Sequence, residues 1–256
     1  MNRKLVAALA CRVQGSRLYG KPLQALDLET GTRILDQIIA NLQSHPVIEA
    51  IVLGISEGVE NTPFVDVART WGLQHIWGDP IDVLQRLIAC GHAGQATDVF
   101  RVTTESPFHE LSIVEKVWGR HVEHGNDVTV TEDMPDGTHF EIYRLSTLEQ
   151  SHAKGGRDER SELCSLYVRR HLEEFRVELV EIPEAWRRLD LRLTVDYPED
   201  LVLCRRVYTA LKHKAPCIPL EDIIAFLDAR PALKELVAAY VANKPIWGRR
   251  REAVHG

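Results

Sequence analysis

The chain has 256 residues, 45% of them hydrophobic and 27% charged, with a formal net charge of −6. That length buries a sizeable core in one large domain, and the acidic balance excludes the global basic field of a nucleic-acid binder. Cations cluster locally instead, within residues 12–21 and at Arg249, Arg250 and Arg251, the second run reading as a solvated chain end.

In chain order, "KLVAALACR" reads as a buried strand, short and apolar on both faces. "RILDQIIANLQSH" puts Ile34, Leu35, Ile38, Ile39 and Leu42 at helical spacing. "EAIVLGIS" reads as a second buried strand. "TPFVDVARTWG" reads as a helix with proline near its start and glycine after its end. A weak strand at "LQHIWG", a helix at "DVLQRLIACGHAG" and a strand at "DVFRVTT" follow. A longer helix is expected over 109–124, then a strand at "NDVTVTE". This alternation predicts an α/β fold, a mostly parallel sheet with helices on both faces.

Beyond residue 132 the pattern changes. "PDGTHFEIYR" reads as a turn and a short strand, and "SHAKGGRDERSE" as a polar loop before a helix at "SELCSLYVRRHLEEF". "FRVELVEIP" and "LDLRLTVD" both have strand character. A helix follows at "PEDLVLCRRVYTALKH", and 219–229 and 231–242 are helical. We expect one domain over 1–256, with an inserted or appended subdomain at about 133–190.

Several chemistries lack their residue patterns. The five cysteines are scattered without a Cys-x-x-Cys pair, so neither a zinc site nor a disulfide framework is expected. The histidines include no His-x-x-x-His or His-Glu-x-x-His set; His92, His121 and His124 read as helix-end or surface residues. There is no Gly-x-Ser-x-Gly elbow, and Trp71, Trp77, Trp118 and Trp186 read as packing. The apolar run at Leu5–Cys11 is too short for a secretory signal, and no segment approaches a membrane span, so a cytoplasmic protein is expected.

The stretch "LACRVQGSRLYGKPLQAL" sets Arg12, Gly15, Ser16, Arg17 and Lys21 just after the first strand. Backbone N–H groups, a hydroxyl and cations in one turn suit phosphate oxygens. It is neither a P-loop nor a dinucleotide fingerprint. On spacing alone, a surface loop with solvated cations is equally good.

The stretch "LACRVQGSRLYGKPL" resembles the opening signature of the sugar nucleotidyltransferases that make CMP-activated acidic sugars, Ala-Arg followed by Gly/Ser-Ser/Thr-Arg-Leu-x-Gly-Lys-x-Leu. It is most similar to the branch like the spore-coat polysaccharide cytidylyltransferase. The 3-deoxy-manno-octulosonate and N-acylneuraminate cytidylyltransferases are wider relatives. "GDPIDVLQRL", "VFRVTTESPF" and "RLTVDYPEDLVLCRRVY" match three further family stretches in order, so the resemblance spans residues 6 to about 208.

The resemblance implies a Rossmann-like, GT-A type sheet and transfer of CMP from CTP to an acidic sugar or a phosphate- or phosphonate-bearing molecule, with Mg²⁺ as cofactor and a possible homodimer. It implies Arg12, Arg17 and Lys21 as catalytic phosphate clamps. Ala10, Gly15, Ser16, Asp82 and Arg101 complete the implied nucleotide site. It also implies Glu105 and Asp196 as metal ligands. Asp196 reads equally as a helix N-cap, with Asp200 in the helix's first turn. Thr104-Glu105 departs from the family's Gly-Asp, which leaves Glu105 as a ligand, as a surface acid, or as the mark of lost turnover. In the acceptor stretch the family glutamate falls on Glu141, expected on a strand facing the pocket. Ser161-Glu162-Leu163-Cys164-Ser165 stands where relatives carry Arg-Glu-His-Val-Thr, so either the acceptor differs or Arg157 and Arg160 take over the charge. The alternatives are a guanylyl- or uridylyltransferase acting on a sugar 1-phosphate, or a nucleotide binder without turnover.

Overall fold

The computed structural model describes residues 3–161, 163–242 and 247; Glu162 and the Arg249–Arg251 run lie outside the described residues. Seven strands form one sheet in the order β3-β2-β1-β4-β6-β5-β7. They are β1 (Leu5–Cys11), β2 (Ile48–Ser56), β3 (Gln74–Gly78), β4 (Asp98–Arg101), β5 (Val128–Thr131), β6 (Glu141–Arg144) and β7 (Val177–Val180). β6 runs antiparallel to β4 and β5, and every other pairing is parallel.

The helices are α1 (Ile34–Gln43), α2 (Pro63–Trp71), α3 (Val83–Ala93), α4 (Val114–Glu123), α5 (Leu145–Lys154), α6 (Leu166–Arg170), α7 (Pro198–Leu211), α8 (Leu220–Asp228) and α9 (Pro231–Val237). β1 shows why both sheet faces are covered. Leu5, Ala7, Leu9 and Cys11 pack into one core with the apolar stripe of α1, Ile34 to Leu42. Val6 and Ala8 pack into the other, with Leu84, Leu87 and Cys90 of α3. Alternate strand residues point to opposite faces, so an apolar run without a polar face needs a helix layer on each side.

The segment 133–190 contributes β6, α5, α6 and β7, and both strands join the central sheet. Several elements differ from expectation. "LDLRLTVD" forms no strand; it touches the turn after β5 through one bridge, Asp136 with Arg192, and its polar side chains serve the cleft described below. Helix α5 follows β6 directly and includes Ser151–Lys154, the start of the stretch expected as a polar loop. The expected 109–124 helix begins only at Val114, because His109 and Glu110 are spent on loop contacts.

His121 is not at the surface. It is fully buried on α4, with Nδ1 2.8 Å from Thr129 Oγ1 and Nε2 3.1 Å from Asp98 Oδ1. Asp98 also accepts from Arg3 and from Thr97. Burial pushes the Asp98 carboxyl up, but these donors outweigh it and hold the group below its ordinary value. Burial holds His121 below the ordinary histidine value as well. Both shifts have the same sign for stability: the unfolded chain takes up protons that the folded chain refuses. Melting temperature should therefore fall as pH drops below about 6.5, where unfolded histidine charges, and more steeply below about 4, where the unfolded aspartate protonates. Scanning calorimetry from pH 7 to 3 checks this. An Asp98→Asn variant should melt lower at pH 7 and show a flatter acid slope; parallel slopes would contradict the assignment.

Candidate functional site

The strand order changes direction at β1, which has β2 on one side and β4 on the other. In a sheet of this kind a crevice opens at such a point, outside the carboxyl ends of the strands. A cleft of about 410 Å³ lies there, lined by the segment after β1, the segment after β4, the 136–139 turn and the loop before α7. Of the residues expected around a nucleotide, Ala10, Arg12, Arg17, Lys21 and Arg101 line it, together with Glu105 and Asp196.

The loop after β1 is closed by Gly20 N–H donating to Val13 O at 2.7 Å and pinned by Asn61 Oδ1, which accepts from Val13 N–H at 2.8 Å. Gly20 adopts φ 61°, the left-handed conformation that glycine takes without penalty. A Cβ on Gly15 would stand 2.4 Å from Leu18 O, so the tight path needs glycine there too. Gly15 and Ser16 are exposed on this loop and are not among the residues lining the cleft. Arg17 stacks over the Tyr197 ring at 4.9 Å, and Tyr197 stacks on Tyr240 with ring centroids 3.8 Å apart, which aligns the guanidinium at the cleft mouth.

Asp196 does not cap α7. The cap residue is Tyr197, and Asp200 reaches back to accept from the N–H groups of Asp196 and Tyr197, both at 2.9 Å. That capping arrangement frees the Asp196 carboxylate. Its Oδ1 accepts from Lys21 Nζ at 2.8 Å, its Oδ2 from Arg192 Nη2 at 2.7 Å, and Arg17 Nη1 stands 3.9 Å away. Burial alone would raise the Asp196 carboxyl; Lys21 and Arg192 outweigh it and hold the group below its ordinary range.

Glu105 Oε1 lies 4.0 Å from the same Lys21 Nζ. Its backbone carbonyl accepts from Val195 N–H, and hydroxyl bonds from Thr103 to Ser106 and from Ser106 to Thr194 join the two loops. Thr104, where the sequence departs from the family pattern, is buried and donates to Ala10 O at 3.1 Å, tying the loop to the end of β1. Two carboxylates thus converge on one ammonium. Among the described residues no group of three or more His, Cys, Asp and Glu side chains is placed to hold a metal ion. A pair of carboxylate oxygens suits a hard divalent ion that keeps waters and phosphate oxygens as its other ligands.

Three expectations fall elsewhere. Asp82 is the N-cap of α3: Oδ1 accepts from Gln85 N–H at 2.8 Å, and Oδ2 lies 2.7 Å from His152 Nε2. It borders a separate depression with Arg157 and Arg160 rather than the main cleft. Glu141 is on β6 but is 1% exposed and fully engaged. It accepts from Arg101 and Tyr143, both at 2.9 Å, and from Trp247 Nε1 at 2.8 Å, so its carboxylate anchors Arg101 instead of meeting an acceptor.

Of the cleft residues the sequence left out of the expected nucleotide, metal and acceptor sets, Arg86, His139 and Arg192 stand out; Arg86 was expected only to order the site beside Asp82. Arg86, 2% exposed, lines the cleft floor and donates from Nη1 to Cys11 O and Gly54 O, while its Nε has no acceptor. Gly54 and Gly78 clear its slot: a Cβ on Gly78 would stand 2.6 Å from Arg86 Cγ. The place of Arg86 in the family-like stretch "GDPIDVLQRL" was the signal in the sequence. Arg192, 6% exposed, holds Asp136 at 2.6 Å, Asp196 at 2.7 Å and Asp200 at 2.9 Å.

Comparisons with known proteins agree with this architecture. No protein-family model matches the chain. It is 24% identical over 228 residues to the spore coat polysaccharide biosynthesis protein SpsF of Bacillus subtilis, covering 87% of this chain and 93% of that one. It superimposes on a cytidylyltransferase from Leptospira borgpetersenii with a TM-score of 0.81 at 20% identity, over 91% of this chain and 97% of the other. It also superimposes on CMP:2-keto-3-deoxy-manno-octonic acid synthetase complexed with CTP, with a TM-score of 0.61 at 15% identity, over 81% and 99% of the two chains. The resemblance to CMP-sugar synthetase-like nucleotidyltransferases, read from the motifs, and the α/β fold are both borne out.

Proposed function

We propose that this chain is a nucleotidyltransferase that transfers CMP from CTP to a small acceptor and releases pyrophosphate, with an acidic sugar as the favoured acceptor class. The observation that carries the proposal is the opposition, across one cleft, of Arg12, Arg17 and Lys21 to Glu105 and Asp196. An acceptor oxygen attacks the α-phosphorus of CTP, the bond to the β-phosphate breaks, and pyrophosphate leaves. Negative charge grows on the phosphoryl and leaving oxygens, so fixed cations aimed at them lower the barrier.

Lys21 and Arg17 neutralise the triphosphate, and the closed loop after β1 presents them without reorganisation. Arg101, held by Glu141, and Arg86, without a carboxylate partner among the described residues, add donors on the cleft floor. Glu105 and Asp196 would hold Mg²⁺, which supplies charge neutralisation at the phosphates when bound. The solved CTP complex of a relative with the same fold favours CTP as the nucleotide. The segment 133–190, which brings Asp136, Gly137, His139 and Leu163 to the cleft, is the proposed acceptor side.

The test is thermal shift with CTP, UTP, GTP and ATP in the presence of Mg²⁺, followed by pyrophosphate release with sugar acids, sugar 1-phosphates and phosphonates. We expect CTP to raise the melting temperature most, as mass action requires of a ligand that binds only the folded state, and pyrophosphate to appear only with CTP. A larger shift with GTP or UTP would move the protein to the guanylyl- or uridylyltransferases. A CTP shift without any release would assign a binder that has lost turnover.

A further inference from the structure

The nucleophile of this reaction, if it is a hydroxyl, must shed a proton, and most groups lining the cleft are poor acceptors for it. Arg12, Arg17, Lys21, Arg86 and Arg101 are cations. The carboxylates of Asp136 and Asp196 accept from Arg192 and Lys21, and a carboxylate is a weak base at neutral pH. His139 is different. It lies in the turn before β6, lines the cleft, and neither ring nitrogen makes a hydrogen bond to another described residue. Its backbone is held instead: His139 O lies 3.1 Å from Nδ1 of buried His109. It sits two residues before Glu141, where the sequence led us to expect an acceptor-facing acid.

We propose that His139 is the catalytic base of the transfer, taking the proton of an acceptor hydroxyl as that oxygen bonds to the α-phosphorus. The inference rests on the nucleotidyltransferase reading and deepens it, because it makes the acceptor a hydroxyl compound, such as a sugar acid, and not a phosphate. The balance is simple. The O–H electron pair forms the new O–P bond, the bond between the α-phosphorus and the pyrophosphate oxygen breaks, and the proton resides on a His139 ring nitrogen until solvent removes it.

The surroundings keep the ring neutral and able to accept. Burial lowers its pKa, and Arg101 on β4 lowers it further, while Glu141 on β6 and Asp136 in its own turn raise it; the net direction is down. His109, from the segment after β4, is itself pushed down to about 4 and stays neutral beside it. A base unprotonated at neutral pH and placed at the reacting oxygen typically contributes about 10²–10⁴-fold.

The experiment compares wild type with His139→Gln and His139→Asn, using CTP, Mg²⁺ and either 2-keto-3-deoxy-manno-octonic acid or N-acetylneuraminic acid. We expect kcat to fall at least about 10²-fold while the CTP-induced thermal shift and the KM for CTP stay unchanged. We also expect the acid limb of the wild-type pH–rate profile, centred below the ordinary histidine value, to vanish in both variants. The thermal shift doubles as the check that each variant is folded. Variants that keep wild-type kcat, or that keep the same acid limb, would overturn the role of His139 while leaving the nucleotidyltransferase reading intact. A wild-type protein that binds CTP but releases no pyrophosphate with either sugar acid would overturn the hydroxyl-acceptor proposal. One that shows no CTP shift at all would remove the underlying reading as well.

Discussion

Arg192→Met should destabilise the protein by about 3–5 kcal/mol, the cost of stranding a buried charge. Asp200 is the reason. Its carboxylate is 1% exposed, and both oxygens accept from Arg192, at 2.9 Å from Nε and 3.1 Å from Nη2. Without the guanidinium, Asp200 keeps only the N–H groups of Asp196 and Tyr197. Asp136 and Asp196 lose a partner too, but both are partly exposed, so water offsets more of their loss. Against a typical domain stability of about 5–15 kcal/mol the change is large. Urea unfolding monitored by circular dichroism checks it. Arg192→Lys should lose part of this amount, because an ammonium cannot fork across three carboxylates. Adding Asp200→Asn to Arg192→Met should recover some of it, because the stranded charge is then gone. A midpoint unchanged from wild type in Arg192→Met would contradict the pairing.

Lys21→Met should behave in the opposite way, with little effect on the fold and a large one on the reaction. Lys21 bridges Asp196 and Glu105 across the cleft, is partly exposed, and leaves Asp196 its bond to Arg192 when removed. A pair of that exposure is worth at most about 1 kcal/mol. Pyrophosphate release from CTP and Mg²⁺ should fall by about 10²–10³-fold, the usual cost of losing one preorganised group at developing phosphate charge, and the CTP-induced thermal shift should shrink. Full turnover in a folded Lys21→Met protein would place the triphosphate elsewhere.

The contrast between these residues separates what was legible in the sequence from what was not. The cation loop was legible because its arginines, lysine, glycine and serine stand at close spacing directly after a buried strand. That Asp196 lies at the cleft was legible, but the freedom of its carboxylate was not. Whether Asp196 or Asp200 satisfies the first turn of α7 depends on which carboxylate reaches back, and that is settled by packing around Arg192. Glu141 shows the reverse failure. Its position on a strand was a sound reading, yet its buried carboxylate is taken up by three donors and does not line the cleft. His139, two residues away, took the cleft position, and nothing local marks it.

Local pattern by itself determined the layered α/β fold, the strand preceding the loop, and the clustering of cations from Arg12 to Lys21 just after it, because strand and helix periodicities and turn chemistry act within a few positions. Tertiary structure alone decided which charges meet. Arg86 with Gly54, Glu105 with Asp196, and Arg192 with Asp136 are joined across long stretches of chain by sheet order and loop stitching. A charge is tied to its partner by distance and desolvation, and neither quantity is written in the order of the residues.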